Sequence, residues 1–172
     1  FAALRADGSV VTWGDPSRGG DSSSVADQLN GTVNVTQIYS TGSAFAAFKA
    51  DGSVVTWGYS PWGGDSSAVA GQLDGTVDVM QIYSTGAAFA ALKADGSLVT
   101  WGGATFGGDS SAVASQLSSG VVGLANIYTD DVYTADTNHS PTGSVHINVT
   151  NPSAGQTLTA FNDLDDVDGV GT

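Results

Sequence analysis

One fourteen-residue string recurs at a fixed period, and that repetition limits the fold more than composition does. Phe1-Ala-Ala-Leu-Arg-Ala-Asp-Gly-Ser-Val-Val-Thr-Trp-Gly14 returns with few changes at 45–58 and again at 89–102, each time 44 residues on. Gly-Gly-Asp at 19–21, 63–65 and 107–109 keeps the same spacing. Self-similarity at a period of this length is the mark of a repeat architecture, in which each unit is too small to bury its own apolar surface and is completed by its neighbours. Tyr39 and Tyr83 are also 44 apart, but Tyr83 and Tyr128 are 45 apart, and Tyr-Ser-Thr-Gly gives way to Tyr128-Thr-Asp-Asp. The array is therefore expected to end near residue 127. Its first copy lacks a leading strand, so the chain reads as a piece of a longer array.

Within each copy an Asp-Gly pair (Asp7-Gly8, Asp51-Gly52, Asp95-Gly96) separates two short apolar runs. That pattern predicts a hairpin, because Gly and Asp tolerate the backbone of tight turns. Taken as a two-residue loop, Asp51-Gly52 would pair Phe48 with Val55 and Ala46 with Trp57, placing these four on the core face. A Gly-rich bend follows, then Asp65-Ser-Ser-Ala-Val-Ala-Gly-Gln-Leu73, where Val69 and Leu73 at i, i+4 suggest one or two helical turns. A third strand is expected over Val77–Tyr83, with Gly86 ending it. The reading is all-β: tandem 44-residue repeats at about 1–43, 44–87 and 88–127, either propeller-blade-like or an open solenoid stack, with one short helical turn each. Segment 128–143 then reads as a linker or end cap. Residues 144–172 hold two candidate strands, Ser144–Thr150 and Gln156–Phe161, as a partial sandwich.

Charge removes several function classes. The chain has seventeen acidic residues, all of them Asp, against four Lys and Arg, for a net charge of −13. Such a chain repels phosphate backbones, which argues against nucleic-acid binding. With no Cys there is no disulfide, thiolate metal site or cysteine nucleophile. No apolar run approaches the roughly 20 residues of a membrane helix.

Ala91-Leu-Lys-Ala-Asp-Gly-Ser-Leu-Val-Thr-Trp-Gly102, preceded by a Val/Ile strand and followed by Gly-rich sequence, resembles the regulator of chromosome condensation repeat. The resemblance covers residues 1 to about 127 and implies β-propeller blades. It departs at Ser43-Ala44-Phe45, where the family has His, and at Gly63-Gly64-Asp65-Ser66, where it has Gly-Gln-Leu-Gly. The namesake's chromatin role does not extend to a chain this acidic. The tail (Ser140–Ile147, Gly155–Ala160 and Asp165–Thr172) is similar to the opening of a bacterial immunoglobulin-like repeat. Together the two resemblances imply a segment of a large secreted surface protein or adhesin, extracellular or on the cell surface.

Most distinctive residues already have a structural explanation. Asp7, Asp51 and Asp95 read as turn residues with Gly8, Gly52 and Gly96. Asp21, Asp65 and Asp109 read as helix caps. Trp13, Trp57 and Trp101 read as packed hairpin residues. Asp163, Asp165, Asp166 and Asp168 form the densest group of oxygen ligands and are the candidate calcium site, weighed against a solvated acidic turn. Trp62, in a Ser-Pro-Trp-Gly loop, and its counterpart Phe106 are the aromatic candidates for ligand contact. His139 and His146 fall in different contexts and do not suggest a metal pair. No constellation suggests an enzyme. The expectation is a non-catalytic structural or adhesive segment, with a glycan-binding module on the repeat-edge loops as the alternative. Its partners would be neighbouring repeats or copies of itself in a filament or array, together with surface glycans.

Overall fold

In the computed structural model the Asp-Gly loop is one residue longer than a two-residue turn, and this sets the register of the sheets. The structure describes residues 1–126 and the strands β10 (Thr129–Thr134), β11 (Val145–Ile147) and β12 (Ala160–Asn162). In the second copy the Lys49 carbonyl accepts the Gly52 N–H at 3.0 Å, and Gly52 takes φ +76°. Lys49 N–H then bonds Ser53 O, also at 3.0 Å. This is a turn closed by a left-handed glycine, the three-residue hairpin loop rather than the two-residue one. A side chain at Gly52 would also collide with Asp78 Oδ1, at 2.5 Å.

The extra loop residue corrects the expected pairing. Strands β4 (Ala44–Lys49) and β5 (Val54–Gly58) pair Phe45 with Trp57, Ala46 with Thr56, Ala47 with Val55 and Phe48 with Val54. Phe48 does not face Val55, and Ala46 does not face Trp57. A one-residue slip moves every side chain to the opposite face, so Trp57 shares its face with Phe45, Ala47 and Val55. The corresponding strands of the third copy, β7 (Ala88–Lys93) and β8 (Leu98–Gly102), repeat this register residue for residue, from Ala88–Gly102 to Leu92–Leu98. In the first copy β1 (Ala2–Leu4) and β2 (Val10–Thr12) do the same.

The described chain is mostly β, in small open antiparallel sheets. Each three-stranded sheet takes its first strand from the end of the preceding sequence copy. β3 (Val35–Ser40) pairs with β4, and β6 (Val79–Ser84) pairs with β7, each across a three-residue connection. The strand expected from Val77 therefore begins at Val79. Register shifts between Val35 and Gln37, and between Val79 and Gln81, leave Thr36 and Met80 as bulged residues. The bulge re-phases the strand so that Val35 and Ile38, three apart, join one apolar cluster.

The stretch read as helical forms a 3-10 segment in each copy (Ser23–Gln28, Ser67–Gln72 and Ser111–Gln116), and a second, shorter 3-10 turn that was not expected precedes it (Pro16–Arg18, Ser60–Trp62 and Ala104–Phe106). The shorter turn lies in the segment read as a bend. It is closed by a left-handed Gly whose N–H bonds back three residues, as Gly63 does to Ser60 O at 3.1 Å.

The two faces of the β3–β4–β5 sheet are buried by different neighbours. Ala47, Val55 and Trp57 cluster with Ala2, Val10, Val25 and Leu29 of the first copy. On the opposite face, Ala44, Ala46 and Val54 cluster with Ile82, Phe89, Ala91, Val99 and Trp101. The sheets thus pack face to face, and the 3-10 turn of one copy covers the Trp-bearing strand of the next. Trp57 Nε1–H donates to Gly19 O and Trp101 Nε1–H to Gly63 O, both at 3.1 Å, so each indole is buried with its one polar group satisfied. Phe45 and Phe89 stack on these indoles with ring centroids 5.3 and 5.2 Å apart.

The chain divides into two compact units, Phe1–Tyr133 and Thr134–Thr172. In the first, β9 (Gly123–Asn126) pairs with β10. In the second, β11 and β12 form an antiparallel pair with Val145 opposite Asn162 and Ile147 opposite Ala160.

The packing separates chemically identical positions. Trp57→Ala should lower unfolding stability by about 3–5 kcal/mol, the usual cost of emptying a large core site. Trp13→Ala, at a position 51% exposed, should change it by no more than about 0.5 kcal/mol. Urea unfolding of the two variants in dilute solution measures the contrast.

Candidate functional site

The acidic residues of the first unit act chiefly on the chain's own backbone. Asp51 Oδ1 accepts the Ser53 N–H at 3.1 Å and the Ser53 hydroxyl at 2.6 Å. Asp7 does the same with Ser9, and Asp95 with Ser97. Asp21, Asp65 and Asp109 accept the N–H groups of Ser23, Ser67 and Ser111 at 2.8–2.9 Å, the first N–H of each longer 3-10 turn. Asp15 and Asp74 cap Ser17 and Thr76 in the same way. These are Asx turns: a short carboxylate two residues ahead takes an N–H that secondary structure leaves unused.

Hydrogen bonds to the ionised form stabilise it, and all eight carboxyls are held below the ordinary aspartate value. The serine partners contribute most at Asp7, Asp51 and Asp95, with the cations Arg5, Lys49 and Lys93 adding to the effect. None is pushed upward toward a proton-donating role. Among the described residues no three His, Asp or Glu gather into a metal-holding group, and no buried side-chain nitrogen or oxygen lacks a partner. The candidate calcium ligands Asp163, Asp165, Asp166 and Asp168 lie outside the described residues, as does His139.

The three repeated tryptophans differ in burial. Trp57 and Trp101 are packed as expected, but Trp13 is half exposed and stacks only on Phe1, at 5.3 Å.

Chemical variety is concentrated at one position of the copies. Asp15-Pro-Ser-Arg18, Tyr59-Ser-Pro-Trp62 and Gly103-Ala-Thr-Phe106 are equivalent tetrapeptides on an otherwise repeated scaffold. Each forms the short 3-10 turn after the hairpin. The turn is anchored from below by a threonine: Thr41 Oγ1–H donates to Trp62 O at 3.0 Å, and Thr85 Oγ1–H to Phe106 O at 2.9 Å. Trp62 lies edge-on to Tyr59, with centroids 5.9 Å apart and planes at 77°. Its ring packs over Gly42, where an added Cβ would sit 3.0 Å from the indole.

Arg18 reaches across from the preceding copy and donates to Ser43 Oγ at 3.0 Å. Arg18, Ser17, Ser43, Tyr59 and Trp62 line one cleft of about 330 Å³. Phe106 is 46% exposed and lines a different, more apolar cleft with Tyr83, Val113 and Leu117. The structure therefore does not bring Trp62 and Phe106 into one site. Tyr59 and Arg18 were not singled out in the sequence. Their signal was present, since they occupy a tetrapeptide in which every position differs among the three copies.

No protein-family model matches the chain, and a search of the curated proteins gives no match. Among the described residues no helix is long and apolar enough to cross a membrane.

The lowered carboxyls predict the acid response. Each contributes stability that is fully present above the ordinary aspartate value of about 3.9 and is lost as pH falls through its lower folded value. The unfolding midpoint should stay level above about pH 5 and fall progressively below pH 4. Replacing Asp7, Asp51 and Asp95 together by Asn keeps a side-chain acceptor and should flatten that fall. An unchanged acid profile in the triple variant would assign it to other groups.

Proposed function

We propose that this chain is a non-catalytic structural or adhesive segment of a secreted bacterial cell-surface or extracellular fibre protein. Its tandem β repeats are related to those of the regulator of chromosome condensation family, and residues 144–172 begin an immunoglobulin-like domain. The observation that carries this reading is how the chain uses its reactive groups. Eight of the carboxylates cap backbone turns, and two of the three equivalent indoles are sealed between sheets by a backbone hydrogen bond. A scaffold that commits its acids and aromatics to its own geometry serves as a stiff spacer or display surface. Absence of Cys and a strongly acidic surface suit an exported repeat protein. Calcium at Asp163, Asp165, Asp166 and Asp168 belongs to the same proposal, as the element that stiffens the junction after the repeats.

A second reading, a glycan-binding module, is favoured by the cleft at Trp62. An exposed Tyr59 beside a half-buried Trp62, with a guanidinium and two hydroxyls opposite, offers an apolar ring surface bordered by polar groups. Phe106 would serve a separate subsite. Variable residues on a constant frame are where recognition is placed on repeat scaffolds.

Thermal unfolding in millimolar calcium and in chelator tests the junction. A midpoint raised by calcium supports the site, and an unchanged midpoint assigns the tail acids to a solvated turn. A glycan array tests the alternative: binding that Trp62→Ala abolishes places recognition in this cleft, and no binding to any sugar removes the reading.

A further inference from the structure

Between the first and second copies, one buried serine ties together two chemically unlike walls. Ser43, 4% exposed, accepts the Tyr59 N–H on its carbonyl at 2.8 Å and an Arg18 Nη1–H on its hydroxyl oxygen at 3.0 Å. The guanidinium is thereby held in the same cleft of about 330 Å³ as the Tyr59–Trp62 ring pair.

The scaffold does not require this arrangement. Between 44–58 and 88–102 the second and third copies differ only at Phe48/Leu92 and Val54/Leu98. Every residue lining the cleft, by contrast, is replaced one period on, with Trp62 in place of Arg18, Ala87 in place of Ser43 and Gly103 in place of Tyr59. Ala87 supports the same β-strand pairing without a hydroxyl, so stacking does not need the Ser43 hydroxyl. Its place in the structure is to hold the guanidinium.

The polar groups left over in the cleft call for an acceptor-rich ligand. Arg18 Nη1 is engaged by Ser43, and Nε lies 3.6 Å from Asp15 Oδ2, which leaves Nη2 without a protein acceptor. Trp57 and Trp101 give their indole N–H to glycine carbonyls, whereas the indole N–H of Trp62 makes no hydrogen bond within the described chain, and neither does the Tyr59 hydroxyl. A guanidinium is a planar fork of donors that matches the two oxygens of a carboxylate. Beside it, Tyr59, 45% exposed, and the half-buried Trp62 offer an apolar ring surface.

We infer that this cleft takes one carboxylate-bearing sugar ring at the end of a glycan, with the carboxylate on Arg18 and a C–H face of the ring on the Tyr59–Trp62 pair. The inference rests on the glycan-binding reading and names its ligand class. The volume is at the lower end of small-molecule sites, which suits a single ring rather than a run of them. Charge points the same way. A net −13 repels a polyuronate along its whole length, while a single carboxylate at hydrogen-bond distance from a guanidinium interacts well inside the screening length.

Titration of the nitrogen-15-labelled full chain with methyl glucuronide, methyl glucoside and acetate, followed at the Trp62 indole N–H signal, tests this. Methyl glucuronide should bind with a Kd of about 1–10 mM, and the glucoside and acetate each at least about tenfold more weakly. Arg18→Gln should bring the glucuronide down to the level of the glucoside. Ser43→Ala, which copies Ala87, should do the same with the rest of the spectrum unchanged. Equal affinity for glucuronide and glucoside overturns the inference and leaves the glycan-binding reading standing, as does undiminished glucuronide binding in both variants. Acetate binding as tight as that of the glucuronide overturns it by removing the ring from the contact, and a polyuronate that binds more tightly per carboxylate overturns the assignment to a chain end. No shift with any ligand also overturns it, while the wider glycan reading falls only if the glycan array shows no binding.

Discussion

The first unit depends on one contact made twice: an indole seated on the glycine turn of the preceding copy. Trp57 and Trp101 each donate a hydrogen bond to the carbonyl of a glycine that has no side chain to hold them off, and a phenyl ring stacks on the indole beside it. The glycine is needed twice over. Its positive φ closes the 3-10 turn, and its missing Cβ leaves the space that the phenyl ring occupies. Neither sheet is large enough to be stable alone, so this contact is what joins small open sheets through two apolar clusters, one on each face of the β3–β4–β5 sheet.

The hairpin loop makes that contact available. With two loop residues, Trp57 would have stood opposite Ala46, on the other face of the sheet from Phe45. With three, Phe45 and Trp57 face one another and present a single aromatic surface to the neighbour. Asp51 holds the loop by accepting two hydrogen bonds from Ser53, and the bulge at Thr36 brings Val35 and Ile38 into register with the same face. Local backbone chemistry at three positions thus fixes which side chains meet between sheets.

The same arrangement divides the chain into constant and variable parts. The hairpins, Asx turns and buried tryptophans are repeated because stacking requires them. The tetrapeptides at 15–18, 59–62 and 103–106 turn outward between the sheets, where a change from Arg18 to Trp62 to Phe106 does not disturb the core. Structural duty and surface identity are carried by different residues, which lets a scaffold of this kind vary its surface without refolding.

By itself the sequence determined the period, the β class, the three hairpins, the turn role of Asp7, Asp51 and Asp95, and the outlying character of Trp62. Those follow from local signals: Asp-Gly pairs, alternating apolar runs and simple counting between copies. It did not determine the register, because two- and three-residue loops share the same Asp-Gly signature and are separated only by which face finds a partner. It read the Gly-rich segment as a bend, because a three-residue 3-10 turn has no periodicity to detect. It treated Trp13, Trp57 and Trp101 alike, whereas tertiary packing buried two and left the first exposed. Tertiary structure also placed Arg18 beside Trp62 and put Phe106 in a different cleft. Burial and adjacency belong to the neighbour that covers a side chain, and no stretch of local sequence specifies that neighbour.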